Sequence, residues 1–190
     1  MRGGEGVDLV DRLKNKEEAA VVEIMDLYGD SLLRSAILLV KDPQLAEEIV
    51  QDTFITAYEK INQLHENKKL KSWLLMITTN RCRARMRKWS WRNIFLHKDH
   101  DHEHQLMDDY ELLPEESLIR TWRDDQLHEA IMLLPYHYRE VITLFYFQEL
   151  PIKEIAKLVK ENENTVKTRL SRARAILKED LKKGGVEIAK

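Results

Sequence analysis

Apolar residues recur at steps of three and four along most of this chain, the spacing that lines one face of an α-helix. Residues 8–40 carry Leu9, Leu13, Val21, Ile24, Leu27, Leu32, Ile37 and Val40, which predicts two helices with a weak point near Tyr28-Gly29-Asp30. Asp42-Pro43 is a helix start, with Asp as N-cap and Pro where a missing amide costs nothing. That helix is expected to run to about Asn62, with Leu45, Ile49, Val50, Phe54, Ala57, Tyr58 and Ile61 inward. Residues Gln63 to Leu70 read as a polar loop. A helix from Lys71 to about Lys88 follows, burying Trp73, Leu74, Ile77 and Ala84. Periodicity then lapses over residues 92–117. It returns over 118–134 with Leu118, Trp122, Leu127, Ile131 and Leu134, and Pro135 opens another helix.

The last third has the sharpest pattern. Pro151 suits a helix start, and Ile152, Ile155, Ala156 and Val159 keep helical spacing. The polar run Lys160-Glu161-Asn162-Glu163-Asn164 breaks it. Thr165 can cap a second helix, whose inner face is Val166, Leu170, Ala173, Leu177 and Leu181. Two helices joined by a tight polar turn predict a helix-turn-helix, whose second helix can enter the DNA major groove. Its opposite face carries Lys167, Thr168, Ser171 and Arg172, flanked by Arg169, Arg174 and Lys178. Such a face is either a solvated basic surface or a set of donors for phosphates and guanine edges. Val141, Ile142, Leu144, Phe145 and Phe147 are expected to support it from below.

Scarce Gly and Pro, with abundant Leu, Lys, Glu, Arg and Ala, agree with an all-α protein. The chain has 190 residues, enough for one medium domain or two small ones. No run of about 18 apolar residues occurs, which excludes a transmembrane helix of that length. The start of the chain lacks the apolar core of a signal peptide, and the single cysteine, Cys82, has no internal partner. A reducing cytoplasm is therefore expected.

The formal net charge of −2 conceals segregation. Acids lead from Met1 to Lys60, and bases from Lys68 to Arg92. Acids dominate from Asp99 to Glu129, and bases lead again from Lys153. Two basic blocks around an acidic one suit two contact sites on a polyanion. Asn80, Arg81, Arg83, Arg85, Arg87 and Lys88, followed by Trp89 and Trp91, interleave cations with aromatics, as single-stranded DNA binding requires. Core packing is the competing role for Trp73. His97, His100, His102 and His104, with Asp99, Asp101 and Glu103, are side chains that can ligate zinc or nickel. Their spacing matches no closed motif, so no metal and no cofactor are expected. The sequence holds no nucleophile–base set and no phosphate-binding glycine loop, so the chain is not expected to be an enzyme or to take a small-molecule substrate.

The run from Leu134 to Leu177 closely resembles the C-terminal promoter-binding domain of extracytoplasmic-function sigma factors of the sigma-70 family. The resemblance is carried by Leu134-Pro135, Tyr138-Arg139-Glu140-Val141-Ile142, Glu154-Ile155-Ala156, Thr165-Val166-Lys167-Thr168-Arg169-Leu170 and Arg172-Ala173-Arg174. It implies contacts with the minus-thirty-five element by Thr165, Lys167, Thr168, Ser171 and Arg172. The family usually carries Gly and then an aliphatic residue where this chain has Lys160 and Glu161. Gly tolerates a left-handed backbone there, and Asn162 or Asn164 could take it instead. Residues Gln44 to Phe54 resemble the sigma segment that docks on the coiled coil of the large RNA polymerase subunit. The implied core-polymerase contacts are Glu48, Gln51, Asp52 and Phe54. Leu70-Lys71-Ser72-Trp73-Leu74, Asn80-Arg81 and the arginines beyond resemble the segment that melts the minus-ten element. There the implied base pocket is His65, Glu66, Asn67, Lys68 and Lys69, with Asn80, Arg83 and Arg87 holding the strand.

The resemblance thus implies two small helical domains, sigma region 2 at residues 8–91 and sigma region 4 at residues 118–183. An acidic linker at 92–117 joins them. It implies a cytoplasmic protein that binds bacterial RNA polymerase core and directs it to promoters, in duplex and melted form. It further implies a stress or envelope response governed by an anti-sigma factor. The competing expectation is a stand-alone helix-turn-helix regulator that binds DNA without polymerase.

Overall fold

Residues 5–94 and 125–183 are described by the computed structural model, and every regular element among them is helical. The chain divides into two units, Met1–Lys98 and Asp99–Lys190. In the first, α1 spans Glu5–Lys14, α2 Glu18–Val40, α3 Pro43–Lys60 and α4 Leu70–Ile94. Single 3-10 turns at Ile61–Gln63 and Asn67–Lys69 bracket the connection from α3 to α4.

The first two helices part earlier than the sequence pattern suggests. The break lies at Asn15–Glu17, where Lys16 has a left-handed backbone (φ 62°), and α2 runs unbroken through Gly29. An interior glycine costs a helix about 1 kcal/mol against alanine. Here Ile24 on one side and Leu32, Ala36 and Leu39 on the other are buried, so packing holds the helix together across it. Lys16 also ties this turn to the end of α3, donating to the Tyr58 carbonyl with its ammonium 4.2 Å from the Tyr58 ring centre.

Helix α3 begins as expected: Asp42 accepts from the Leu45 amide at 3.1 Å and Pro43 occupies the first position. Helices α2, α3 and α4 pack on one another around Ile24, Leu39, Ile49, Ile61, Leu74 and Leu75, all buried. The α3–α4 seam is close because small residues line it. The buried hydroxyls of Thr53 and Thr78 meet at 3.2 Å, and each donates back to its own helix, to Ile49 O and Leu74 O. No penalty arises from burying them, since each has a partner. Cys82 is fully buried on α4, and Trp73 is half-buried.

The second unit holds α5 (Asp125–Leu133), α6 (Tyr136–Ile142), α7 (Ile152–Val159) and α8 (Glu163–Lys183). One π-turn at Thr143–Phe147 ends α6. Helix α8 packs against α5, α6 and α7. Its expected inner face, Val166, Leu170, Ala173, Leu177 and Leu181, is buried, as are Val141, Ile142 and Leu144 beneath it. Phe145 and Phe147 are only half-buried.

Arg139 is 2% exposed, the least expected member of this core. Its guanidinium donates to Leu134 O at 2.5 Å and Met132 O at 3.4 Å. It thereby satisfies carbonyls at the end of α5 that lack helical partners. Burial lowers its pKa, opposed by Tyr136 and Glu140. A guanidinium keeps its charge regardless, so the carbonyls keep a charged donor.

Two local expectations change in the helix-turn-helix. Asn162, not Thr165, caps α8: its side chain accepts from the Thr165 amide at 2.7 Å, and the helix starts at Glu163. Lys160, not an asparagine, takes the left-handed conformation (φ 58°, ψ 43°). The reversal must come immediately after α7, where the Lys160 and Glu161 amides close on Ala156 O. Asn162 is committed to the cap. Helix α4 also runs to Ile94, three residues into the expected linker, and carries Trp89 and Trp91 on its last turns. The rest of that linker, with the histidine cluster, lies outside the described residues, as do Leu118 and Trp122.

Lys160→Gly is expected to stabilise the C-terminal unit by about 0.5–1 kcal/mol, because relief of left-handed strain exceeds the added unfolded-state freedom. Thermal melting should show the gain as a rise of a few degrees. Arg139→Met should do the reverse, costing about 2–4 kcal/mol by leaving buried carbonyls unpaired. A denaturant titration that finds less than about 1 kcal/mol would show that the carbonyls find other donors.

Candidate functional site

The polar face of α3 follows from helical spacing. Glu48, Gln51, Asp52, Ile55 and Glu59 fall at steps of three and four, on one stripe. Glu48, Gln51 and Glu59 are exposed and Asp52 is half-buried. Phe54 does not belong to it. It is 4% exposed, because its position falls among the inward residues Val50 and Ala57. The apolar side chain presented on the stripe is Ile55, 57% exposed, which the sequence pattern did not single out. The signal was available: position 55 lies three after Asp52 and four after Gln51.

This carboxylate stripe is tied to α4. Arg81 Nη1 lies 2.6 Å from Asp52 Oδ2, and Arg81 Nη2 donates to Thr56 Oγ1 at 2.7 Å. Arg85 stands 3.8 Å from Glu48. Both pairs are substantially exposed, so each contributes little stability. Their effect is orientation: one Arg81 guanidinium holds two α3 side chains in register.

The arginines of α4 therefore divide. Arg81 and Arg85 turn toward α3. Asn80, Arg83 and Arg87 fall three and four apart on another face. Arg83 Nη1 lies 3.3 Å from Asn80 Oδ1, and Arg87 is exposed. The three side chains expected to hold a DNA strand thus share one face, while Arg81 and Arg85 serve the other.

The loop before α4 is pinned at both ends by the buried side chains of Leu64 and Leu70. Between them His65, Glu66, Lys68 and Lys69 are exposed, with Lys69 Nζ 2.5 Å from Glu66 Oε1. Asn67 is half-buried and faces α1, 3.4 Å from both Lys14 Nζ and Asp11 Oδ1. Four of the five expected pocket residues are open to solvent, while Asn67 anchors the loop.

In the second unit Lys167, Thr168 and Arg172 are exposed on α8, and Thr165 and Ser171 are half-buried. Thr168 donates to Asn164 O at 2.9 Å, which holds its hydroxyl close to the helix. Arg169 pairs with Glu161 of the turn at 2.6 Å. Arg174 points elsewhere: its Nε donates to Tyr146 Oη at 2.7 Å, and its guanidinium lies 5.6 Å from the Phe145 ring and 5.5 Å from that of Tyr146. The π-turn presents those rings. Arg174 is thus a packing residue, leaving the outer face to Lys167, Thr168, Ser171 and Arg172.

Comparison with known proteins follows the same division. Residues 24–92 match the family described as "Sigma-70 region 2", and residues 124–177 match "Sigma-70, region 4". The chain is 30% identical over 179 residues to the ECF RNA polymerase sigma factor SigW of Bacillus subtilis, covering 91% of this chain and 95% of SigW. It is 30% identical over 174 residues to the RNA polymerase sigma factor SigV of Bacillus subtilis, covering 90% and 96%. Among solved structures it is similar to the sigma factor RpoE in complex with the anti-sigma factor NepR from Bartonella quintana. The TM-score is 0.64 at 26% identity, over 84% of this chain and 95% of that one. The fold is also that of CnrH, solved with the cytosolic domain of CnrY, with a TM-score of 0.62 at 19% identity over 92% and 96%.

Proposed function

The chain belongs to the extracytoplasmic-function RNA polymerase sigma factors of the sigma-70 family, and on that premise we propose how its surfaces divide the work. As a sigma factor it binds bacterial RNA polymerase core and directs it to promoters; catalysis resides in the polymerase. The observation carrying this reading is the presence of both sigma regions, in order, within a similarity that spans nearly the whole chain. That same span sets aside the stand-alone regulator.

Glu48, Gln51 and Asp52, with Ile55 among them, form the polymerase-docking stripe. An acidic stripe suits an arginine-rich coiled coil, and charge complementarity speeds and orients docking. An exposed isoleucine at its centre adds a patch that gains from desolvation. Phe54 contributes by shaping the core beneath. Asn80, Arg83 and Arg87 hold the melted minus-ten strand, and the loop His65 to Lys69 receives a base extracted from it. Base extraction costs a few kcal/mol, least at weakly stacked steps, so this loop selects by cost as well as by contact. Thr165, Lys167, Thr168, Ser171 and Arg172 read the minus-thirty-five duplex. An anti-sigma factor, of the kind seen bound to RpoE of Bartonella quintana, regulates the chain by covering these surfaces. The output is a stress or envelope response.

Asp52→Lys would do more than reverse a charge, since it sets a second cation against Arg81. Glu48→Lys disturbs the fold least, because its partner is 3.8 Å away and both are exposed. It should weaken binding to core polymerase by about tenfold or more with an unchanged melting temperature. Wild-type affinity by surface plasmon resonance would remove Glu48 from the stripe. For the whole assignment, the purified chain is added to sigma-free core polymerase on its own upstream DNA. A discrete run-off transcript should appear only with the protein, and fade for Arg172→Ala or Lys167→Ala. Tight binding to that DNA without polymerase, and no transcript, would contradict initiation.

A further inference from the structure

An open groove of about 730 Å³ runs beside the first turns of α8. One wall is α8 itself, with Thr165, Thr168, Arg169 and Arg172; the other is α6, with His137 and Tyr138. Among the described residues no acidic side chain lines it. Glu161, in the turn, is engaged with Arg169 at 2.6 Å. His137 is exposed and Tyr138 half-buried, their rings tilted together with centres 4.0 Å apart. The α6 wall is held firmly, because the next residue, Arg139, is bound to the end of α5.

The groove combines guanidinium, imidazole, phenol and hydroxyl groups, and the formal charges among its described lining residues are positive. That chemistry fits a phosphodiester. Position argues the same way. When a recognition helix lies in a major groove about 12 Å wide, phosphates pass on either side of it, and the first helix of the motif, here α7, crosses the backbone. Helix α6 brings His137 and Tyr138 to the same groove as the first turns of α8.

We propose that His137 and Tyr138 form a phosphate clamp, which grips the DNA backbone beside the base-reading face of α8. This rests on the reading that α8 enters promoter duplex. The imidazole N–H and the Tyr138 O–H donate to non-bridging oxygens of one strand, while Arg172 approaches from the opposite wall. Arg169, already paired with Glu161, lends field rather than a direct bond. Phosphate contacts set register and carry no base information. The clamp therefore raises affinity for all sequences alike and fixes how α8 sits over its site.

The test uses the full chain bound to core polymerase. The probes are a 40-base-pair duplex selected from a random pool by that holoenzyme, and an unrelated duplex of the same length. His137→Ala and Tyr138→Phe should each weaken both probes by a similar factor, about threefold to tenfold. The ranking of single-base variants of the selected duplex should stay unchanged. Both changes are mild for folding, since His137 is exposed and Phe keeps the Tyr138 ring. Arg172→Ala serves as reference. Wild-type affinity for both clamp variants, alongside a loss for Arg172→Ala, would overturn the clamp and leave the α8 reading intact. A reordered base preference would overturn it too, by making the pair base readers. No loss from Arg172→Ala would instead remove α8 from the duplex, and the clamp with it.

Discussion

The close seam between α3 and α4, built on the Thr53–Thr78 contact, governs what the first unit presents. Each hydroxyl has a carbonyl of its own helix and the other hydroxyl within hydrogen-bond distance, so both protons find acceptors and two polar side chains sit in the core without penalty. A bulkier seam would spread the helices and part Arg81 from Asp52 and Thr56. Because the seam is narrow, Arg81 and Arg85 reach across it and fix the carboxylates of α3. The remaining polar residues of α4, Asn80, Arg83 and Arg87, are left on another face. One packing contact thus sorts a run of arginines that look alike in sequence into a structural pair and a set left on another face, the one proposed to hold DNA.

The second unit obtains its rigidity differently. Its core is small, and the turn between α5 and α6 leaves helix-end carbonyls buried. A guanidinium answers both problems, since it presents several donors in a fixed plane and remains ionised when buried. Arg139 ties α5 to α6, and α6 in turn borders α8. A buried side chain of the unit therefore positions His137 and Tyr138, which line the groove beside α8. The helix-turn-helix accepts a strained Lys160 for a related reason. The reversal after α7 is dictated by where α8 must lie, and the cap on Asn162 offsets part of the cost.

Much of this was legible in advance. The inner face of α8 was readable from Val166 to Leu181 because one helix on a core obeys a single period. Asp42-Pro43 marked the start of α3 because capping is local chemistry. Errors arose where a local rule met a tertiary one. Gly29 reads as a break, yet buried neighbours on both sides carry the helix through it. Thr165 reads as a cap, yet Asn162 stands three residues earlier and reaches its amide. Phe54 reads as a contact by resemblance, yet its position on the wheel belongs to the core, and Ile55 stands on the outer stripe.

The sequence by itself determined the helices, the two-part division and the family, because these rest on periodicity, local capping and ordered motifs, all of which are properties of neighbours in the chain. Only the tertiary structure decided which arginine faces which way, why Arg139 is buried and which two helices enclose the groove beside α8. Those depend on residues far apart in the chain meeting across a seam or a turn. Arg81 and Asp52 are 29 positions apart, and Arg174 and Tyr146 are 28. No local pattern encodes such pairs; the packing of one helix on another creates them.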